Sequence, residues 1–162
     1  MKKARLLMFL ALALAGCGGA MDADAPRYDA VAAQLPLPEG AARLLLYRDY
    51  DLAQSLAWVP IKLNGSDIGG VGPGHVMVCD VPPGTYKLEA QSQGLWPGQD
   101  KIVSVAAGQQ IYVKIGSFKT IDPDTHGQHL MSTYVVMLQD SASGRRDVGP
   151  LWYTPCQRKL AG

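Results

Sequence analysis

The densest group of side chains able to do chemistry is the segment Asp122-Pro-Asp-Thr-His-Gly-Gln-His129. Carboxylates and imidazoles bind divalent metals, and His126 and His129 stand three positions apart. The segment joins two predicted strands, so this spacing sets no common geometry, and no third His or Cys follows at ligand spacing. We therefore predict a solvated turn without a cofactor, in which His126 and His129 are the candidate metal ligands. His75 stands alone and is predicted at a strand edge on the surface.

The cysteines Cys79 and Cys156 predict a disulfide bond. An even pair in an oxidising compartment is typical of a disulfide, once Cys17 is assigned to a lipid as described below. The bond would close a loop of about 78 residues and hold the tail ending at Cys156 against the strand that carries Cys79. The alternative is a buried, unpaired Cys79 and a free Cys156. A Cys–His thiol enzyme is disfavoured because pairing would consume the nucleophile.

No other pattern indicates catalysis, and we predict that the protein is not an enzyme. The glycine-rich residues 69–74 lack the Gly-Lys-Ser/Thr ending of a phosphate loop, and they lead into a predicted strand rather than a helix. Ser66, Ser141 and Ser143 lie in no Gly-x-Ser-x-Gly elbow. Residues 69–74 are instead predicted to form a loop available for recognition.

Three aromatic residues are the candidate binding residues. The alternation of apolar residues places Trp58 and Tyr112 on the outward faces of their strands, and Trp96 lies in a Pro-Gly loop. Trp and Tyr are favoured at binding surfaces. The alternative is that these side chains cap the ends of the domain or pack beneath the amino-terminal segment.

The amino-terminal residues predict the location of the protein. Lys2, Lys3 and Arg5 precede an apolar run, residues 6–15, which is typical of a secretory signal. As a helix this run rises only about 15 Å, roughly half of a bilayer core. The following Leu14-Ala-Gly-Cys17 resembles the bacterial lipobox. The alternative is an ordinary signal peptide that happens to be followed by a cysteine.

The lipobox resemblance implies that residues 1–16 are removed and that Cys17 carries diacylglycerol and an acylated amino terminus. More than one acyl chain makes such anchoring stable. Lipoproteins retained in the inner membrane of enteric-type bacteria usually carry Asp after the cysteine, whereas this chain has Gly18. The same resemblance therefore favours the outer membrane, with the protein facing the periplasm.

Composition excludes several classes of protein. The chain has 162 residues, which suits one ordinary domain, and its 15 basic residues balance 14 acidic ones. Removal of residues 1–16 would leave 12 basic against 14 acidic residues, so an electrostatic nucleic-acid binder is disfavoured. The 18 glycines and 11 prolines argue against a coiled coil or helical bundle.

Residues 17–42 are predicted to be the lipidated cysteine and a flexible tether. Small residues, Pro and Asp predominate there, and they bury too little surface to offset the cost of ordering. Residues 28–35 could form about two turns of amphipathic helix.

Residues 43–162 are predicted to form an all-β domain with a carboxy-terminal tail. Apolar residues recur with period two, and turn pairs such as Asn64-Gly65 and Ser143-Gly144 separate the runs. Residues 130–138 are almost continuously apolar and are expected to form a central strand. Seven or eight short strands at this spacing predict an antiparallel β-sandwich, with a small barrel as the alternative.

The segment Ile61-Lys-Leu-Asn-Gly-Ser-Asp-Ile-Gly69, followed by Val81-Pro-Pro-Gly-Thr-Tyr-Lys-Leu88, resembles PEGA-type sandwich modules. With the lipobox and the opening Ala42-Arg-Leu-Leu-Leu-Tyr-Arg48, the chain is similar to a family of bacterial envelope lipoproteins that carry a domain of unknown function. The resemblance covers residues 42–138. It implies a sandwich fold and an envelope location, and it supplies no catalytic residue.

Two functions follow as hypotheses. The first is a membrane-anchored periplasmic lipoprotein that acts as a non-catalytic binding or scaffold module, with an envelope protein or the cell wall as its partner. Residues 69–74 and 95–101, or an exposed strand edge, would recognise that partner. The second is a ligand-handling protein that binds a wall fragment, a lipid or a metal ion, which a concave apolar pocket would favour. An enzyme ranks third.

Overall fold

Two β-sheets packed face to face form the domain, and a layer of helix covers one of them. The structure is a computed structural model that describes residues 25–52, 56–92, 100–121 and 130–157. Its elements are, in chain order, α1 (Tyr28–Val31), a 3₁₀ turn (Ala32–Gln34), β1 (Ala42–Tyr47), β2 (Val59–Leu63), β3 (Ser66–Val71), β4 (His75–Val81), β5 (Gly84–Ala90), β6 (Lys101–Val105), β7 (Gln110–Ile121), β8 (Leu130–Gln139), α2 (Ser141–Val148) and β9 (Trp152–Pro155).

The predicted all-β sandwich is confirmed. One sheet has the strand order β8-β7-β1-β4-β9 and the other has the order β3-β2-β5-β6. The described residues hold nine strands, where seven or eight were expected. Two pairs are parallel, β1 with β7 and β4 with β9, so the expectation of an antiparallel sandwich holds only for the remaining pairs.

The inner core lies between the two sheets, and alternation of side chains supplies it. In β2, Val59, Ile61 and Leu63 are buried while Pro60 is exposed. The hairpin from β2 to β3 turns through Asn64 and Gly65, both with positive φ (49° and 75°), as the Asn-Gly signal predicts. The two-residue turn holds β2 and β3 in the register that points these apolar residues inward.

Strand β1 is buried on both faces. Leu44 and Leu46 belong to the inner core, whereas Leu45 and Tyr47 belong to a second apolar cluster on the opposite face of the sheet. Helix α2 covers that second cluster with Val148. Every residue of β1 is buried, rather than every other one, because α2 covers Leu45 and Tyr47 and residues 35–36 contact Arg43.

Helix α2 occupies a stretch that the sequence predicted as a turn. The Asp140 carboxylate caps its first turn, accepting hydrogen bonds from the backbone N–H groups of Ala142 at 3.0 Å and Ser143 at 2.9 Å. Donation from the Ser143 N–H holds the pKa of Asp140 below its usual value. Ser143 and Gly144 are therefore helical, and the prediction of a turn there is wrong.

The prediction of a central strand over residues 130–138 is also wrong. Strand β8 lies at the edge of its sheet, and among the described strands it pairs with β7 alone. Tyr134 and Val136 join the inner core, whereas Leu138, two residues further on the same face, is 44% exposed. Residues 69–71 likewise belong to β3 rather than to a loop, and the turn itself is Gly72-Pro73-Gly74.

The disulfide between Cys79 and Cys156 is present, with the two Cα atoms 5.0 Å apart. It links β4 to the residue that follows β9. Strand β9 runs parallel to β4, with Trp152 opposite His75. The tail is thus held against the strand that carries Cys79, as predicted.

Residues 25–41 are packed on the domain. The N–H of Tyr28 donates to the Leu151 carbonyl at 2.8 Å, and the N–H of Tyr153 donates to the Pro26 carbonyl at 2.8 Å. The short helix expected within residues 28–35 is present as α1 and the 3₁₀ turn, although neither contains a buried residue. These contacts correct the prediction of a free tether for this part of residues 17–42. We call residues 25–41 the docked segment.

Candidate functional site

A row of side chains in contact marks one end of the sandwich. The guanidinium carbon of Arg27 lies 3.9 Å from the ring centroid of Trp152. The Trp152 ring is 5.4 Å from that of His75, and the His75 ring is 4.8 Å from that of Trp58. The row lies where β1 ends and β4 begins. We call this row, together with the described residues of the connection between β1 and β2, 48–52 and 56–58, the aromatic end.

Two glycines of the turn before β4 allow the indoles to approach it. A Cβ at Gly72 would lie 2.8 Å from Cε2 of Trp58, and a Cβ at Gly74 would lie 2.8 Å from Cζ3 of Trp152. Gly74 also has a φ of +72°, which L-residues rarely adopt. The glycine-rich sequence therefore serves indole packing and the turn.

His75 is buried at the centre of the row, with 2% of its surface exposed, so the prediction of a surface histidine is wrong. Its Nδ1 lies 2.9 Å from the Pro73 carbonyl oxygen. Because a carbonyl only accepts, this contact places a proton on Nδ1. The hydrogen bond orients the imidazole between Trp58 and Trp152.

Arg48 holds the connection between β1 and β2 against the domain. The guanidinium donates from Nη1 to the Ala57 carbonyl at 2.6 Å and lies 5.4 Å from the Tyr134 ring. The side chain is 1% exposed, and burial lowers the pKa of Arg48. The two ends of the connection are thus joined by a buried cation.

The connection presents large apolar side chains to solvent. Tyr50 is 52% exposed, Leu52 72%, Leu56 55% and Trp58 37%. The other large apolar residues that are exposed in the described parts of the chain, Ile102, Phe118 and Leu138, lie on three different strands. Concentrations of exposed apolar side chains mark interaction sites, so the aromatic end is the candidate functional site.

A shallow groove of about 340 Å³ adjoins the aromatic end. Trp58, the residue before β2, and Pro60 in β2 line one side of the groove. Gly69 and Gly70 of β3 line the other part. Two polar side chains complete the lining, Asp67 and Gln157. We call this the Trp58 groove. Its combination of an indole, open glycine backbone and two hydrogen-bonding groups suits a small polar ligand with one apolar face.

The carboxy-terminal tail contributes to the groove through tertiary contacts. The N–H of Gln157 donates to the Ile68 carbonyl at 3.1 Å, and the preceding Cys156 is bonded to Cys79. The disulfide therefore places Gln157 beside β3, a contribution that the sequence alone did not predict.

The predicted binding residues separate in the structure. Trp58 lies at the surface as expected. Tyr112 faces away from the inner core, as its alternation indicates, but it is only 4% exposed because it lies in the cluster beneath α2. The prediction of an exposed Tyr112 is therefore wrong. Trp96 lies outside the described residues.

Tyr50, Leu52 and Leu56 were not predicted as functional residues. They lie between two strands and follow neither the period of two typical of strands nor the period of 3.6 typical of helices, so no pattern marked them. The available signal was three large apolar residues within a short connecting segment, where polar residues usually predominate.

The candidate metal ligands His126 and His129 and the predicted lipid site Cys17 lie outside the described residues. Within residues 25–52, 56–92, 100–121 and 130–157, no three His, Cys, Asp or Glu side chains are grouped as a metal site. No helix in these ranges has the length and apolar character needed to cross a membrane.

Comparison of the chain with protein-family models, with curated proteins and with solved structures found no match. The similarity to PEGA-type modules and to envelope lipoproteins therefore stays a prediction from the sequence.

Proposed function

We propose that the protein is a membrane-anchored periplasmic lipoprotein of the bacterial envelope and that its sandwich is a non-catalytic binding module. The observation that carries the proposal is the exposure of Tyr50, Leu52, Leu56 and Trp58 on a single connection. An exposed leucine gains roughly 1.5–3 kcal/mol when a partner buries it fully. A surface with several such residues favours association.

The disulfide and the amino-terminal sequence support the envelope location. Disulfides such as Cys79–Cys156 persist in oxidising compartments, of which the bacterial periplasm is one. The signal-like residues 1–16 and the lipobox-like Leu14–Cys17 would direct the chain there and attach it to the outer membrane.

The contacts of Arg48 and His75 beneath the aromatic end favour a role in binding. Arg48 joins the two ends of the connection, and His75 packs beneath Trp58. Side chains that are already in contact before a partner binds lose less conformational entropy when the partner covers them. An envelope protein or the cell wall is the partner class that we propose.

Anchoring is tested in cells with the full chain and a Cys17→Ser variant. We expect the wild-type protein in the membrane fraction, with a mass that shows cleavage before Cys17 and attached acyl chains. The variant should lose the acyl mass and leave the membrane fraction. Equal membrane association and equal mass of the two proteins would overturn the proposed anchor.

Binding is tested by cross-linking in intact cells. We expect wild-type protein to capture an envelope component that a Leu52→Asp/Leu56→Asp variant loses. The matched control is Ile102→Asp, which changes a residue of similar exposure (68%) on β6. Equal capture by all three proteins would show that the aromatic end is not the recognition surface.

The Trp58 groove favours a second candidate function, the handling of a cell-wall fragment. An indole packs on the apolar face of a sugar ring, and Asp67 and Gln157 offer hydrogen bonds to hydroxyl groups. Titration with soluble wall disaccharides tests this candidate. We expect a change in tryptophan emission that Trp58→Phe and Asp67→Ala reduce, while Asp29→Ala leaves it intact. Absence of any saturable change would exclude this ligand class.

A further inference from the structure

We propose that the aromatic end rests on the membrane surface, with Tyr50, Leu52, Leu56 and Trp58 in the lipid interface. This inference rests on the proposed lipid anchor at Cys17. It names the bilayer as the surface that covers the apolar connection between β1 and β2 while no envelope partner is bound there.

The amino-terminal segment reaches the domain beside Trp152. Arg27 pairs with Trp152 in an isolated antiparallel bridge, and its Nη1 donates to the Pro150 carbonyl at 2.6 Å. Pro26 accepts a hydrogen bond from Tyr153 at 2.8 Å. The chain therefore arrives from its amino terminus at the aromatic end, beside Trp152.

Few residues separate the proposed lipid anchor at Cys17 from the first described residue, Ala25. Seven residues, 18–24, separate Cys17 from Ala25. A fully extended chain covers about 3.5 Å per residue, so Cys17 lies no more than about 28 Å from Ala25. A tether free as far as Ala42 would reach about 88 Å by the same measure. The docked segment thus keeps the aromatic end close to the lipid.

The surface nearest the proposed anchor has the composition of a membrane-interface site. Trp and Tyr concentrate at membrane interfaces, where the ring is in an apolar layer and the polar atom reaches water. Leucines beside them enter the boundary of the acyl chains. Tyr50, Leu52, Leu56 and Trp58 match this composition, and they are exposed in the absence of a partner.

The opposite end of the sandwich has a different character. Its turns lie at residues 64–65, 82–83 and 106–109, and they are built from Asn, Gly, Pro, Ala and Gln. None of them contains a large exposed apolar residue. An orientation with the aromatic end toward the bilayer therefore buries apolar surface that the reverse orientation leaves in water.

Two described charged residues near the aromatic end, Arg27 and Asp49, are engaged within the protein. Arg27 stacks on Trp152, and Asp49 forms an ion pair with Lys114 at 2.5 Å. The contact with lipid therefore depends on apolar burial rather than on attraction to anionic headgroups. It should change little between about 0.05 and 0.5 M salt, a range over which surface electrostatics are strongly screened.

The test uses natively lipidated full-length protein in phosphatidylcholine vesicles whose acyl chains carry bromine, a short-range quencher of indole emission. We expect partial quenching of wild-type emission, little changed by salt. Trp58→Phe should remove most of the quenchable component. Leu52→Asp/Leu56→Asp should lower the quenching about threefold, because charged residues disfavour the interface.

Three further variants and a mass measurement control the test. The variants Ile102→Asp and Leu138→Asp change exposed residues on β6 and β8, and their emission should be quenched to the same extent as that of wild type. Leu52→Ser/Leu56→Ser, which removes the apolar side chains without adding charge, should also lower the quenching, but by less than the Asp pair. Unchanged quenching in both Leu pairs, or no quenching of a protein whose mass shows lipidated Cys17, would overturn the inference alone. An unmodified Cys17 would overturn the anchor, and the inference with it.

Discussion

Arg43 and Asp80 face each other across the ladder of β1 and β4 and are joined by two hydrogen bonds, 2.6 Å from Nε and 2.8 Å from Nη2. A third bond, 2.6 Å from Nη1, runs to the Leu35 carbonyl in the docked segment. Arg43 is 3% exposed, and its bonds to Asp80 raise its pKa. One buried guanidinium therefore attaches the docked segment to the sheet.

Loss of this guanidinium should release the docked segment. We expect Arg43→Met to lower the free energy of unfolding by about 2–4 kcal/mol, because Asp80 and the Leu35 carbonyl lose a charged donor. Denaturant unfolding measures the loss, and limited proteolysis should show new cleavage within residues 28–41. The control Arg146→Met, at an exposed ion pair of 3.7 Å, should change stability by less than about 0.5 kcal/mol. Equal effects of the two variants would contradict the role of Arg43.

Gly144 is needed because α2 packs directly on Tyr112. A Cβ at position 144 would lie 2.2 Å from Cγ of Tyr112. We expect Gly144→Ala to destabilise the domain by about 2 kcal/mol or more, although Ala favours helix by about 1 kcal/mol over Gly. The control is Gly149→Ala at the end of the same helix, where the nearest atom to a Cβ is 3.9 Å away. Thermal unfolding compares them, and a neutral Gly144→Ala would contradict the contact.

The disulfide should contribute strongly to stability, because it joins residues 77 positions apart. Chain entropy gives up to about 4.5 kcal/mol for a loop of this size. We expect reductant to lower the unfolding free energy of the wild-type domain. It should have no effect on a Cys79→Ser/Cys156→Ser variant. Thiol labelling of unfolded, non-reduced protein should find both cysteines blocked, and labelling of either one would contradict the bond.

Alkaline pH should destabilise the domain through Tyr47. Its hydroxyl donates to Asp147 at 2.9 Å, and burial followed by this bond raises its pKa above the usual value. The unfolded chain loses the Tyr47 proton above about pH 10 while the folded domain keeps it, so stability falls as pH rises from there. Burial raises the pKa values of Tyr28 and Tyr86 as well, and they add to the slope.

Tyr47→Phe isolates the contribution of this residue. We expect its unfolding free energy to fall less steeply above about pH 10, by up to 1.4 kcal/mol per pH unit relative to wild type. Denaturant unfolding at several pH values measures both slopes. Parallel slopes would contradict a raised pKa of Tyr47.

The sequence by itself determined the local features of the fold. Asn64 and Gly65 accept positive φ, so the turn between β2 and β3 was predictable, and the period-two recurrence of apolar residues predicted an all-β domain. The pairing of Cys79 with Cys156 followed from their number and from the predicted compartment. In each case the cause lies within a few neighbouring residues or in composition.

Only the tertiary structure decided what covers each strand. Tyr112 was placed on the correct face of β7, but α2 buries it, and no local pattern reports which distant segment packs on a face. The docked segment is held by Arg43, whose partners Asp80 and Leu35 lie on two other segments. The aromatic end likewise combines Arg27, Trp58, His75 and Trp152. Long-range packing decides such contacts, because their energy is gained only when distant segments meet.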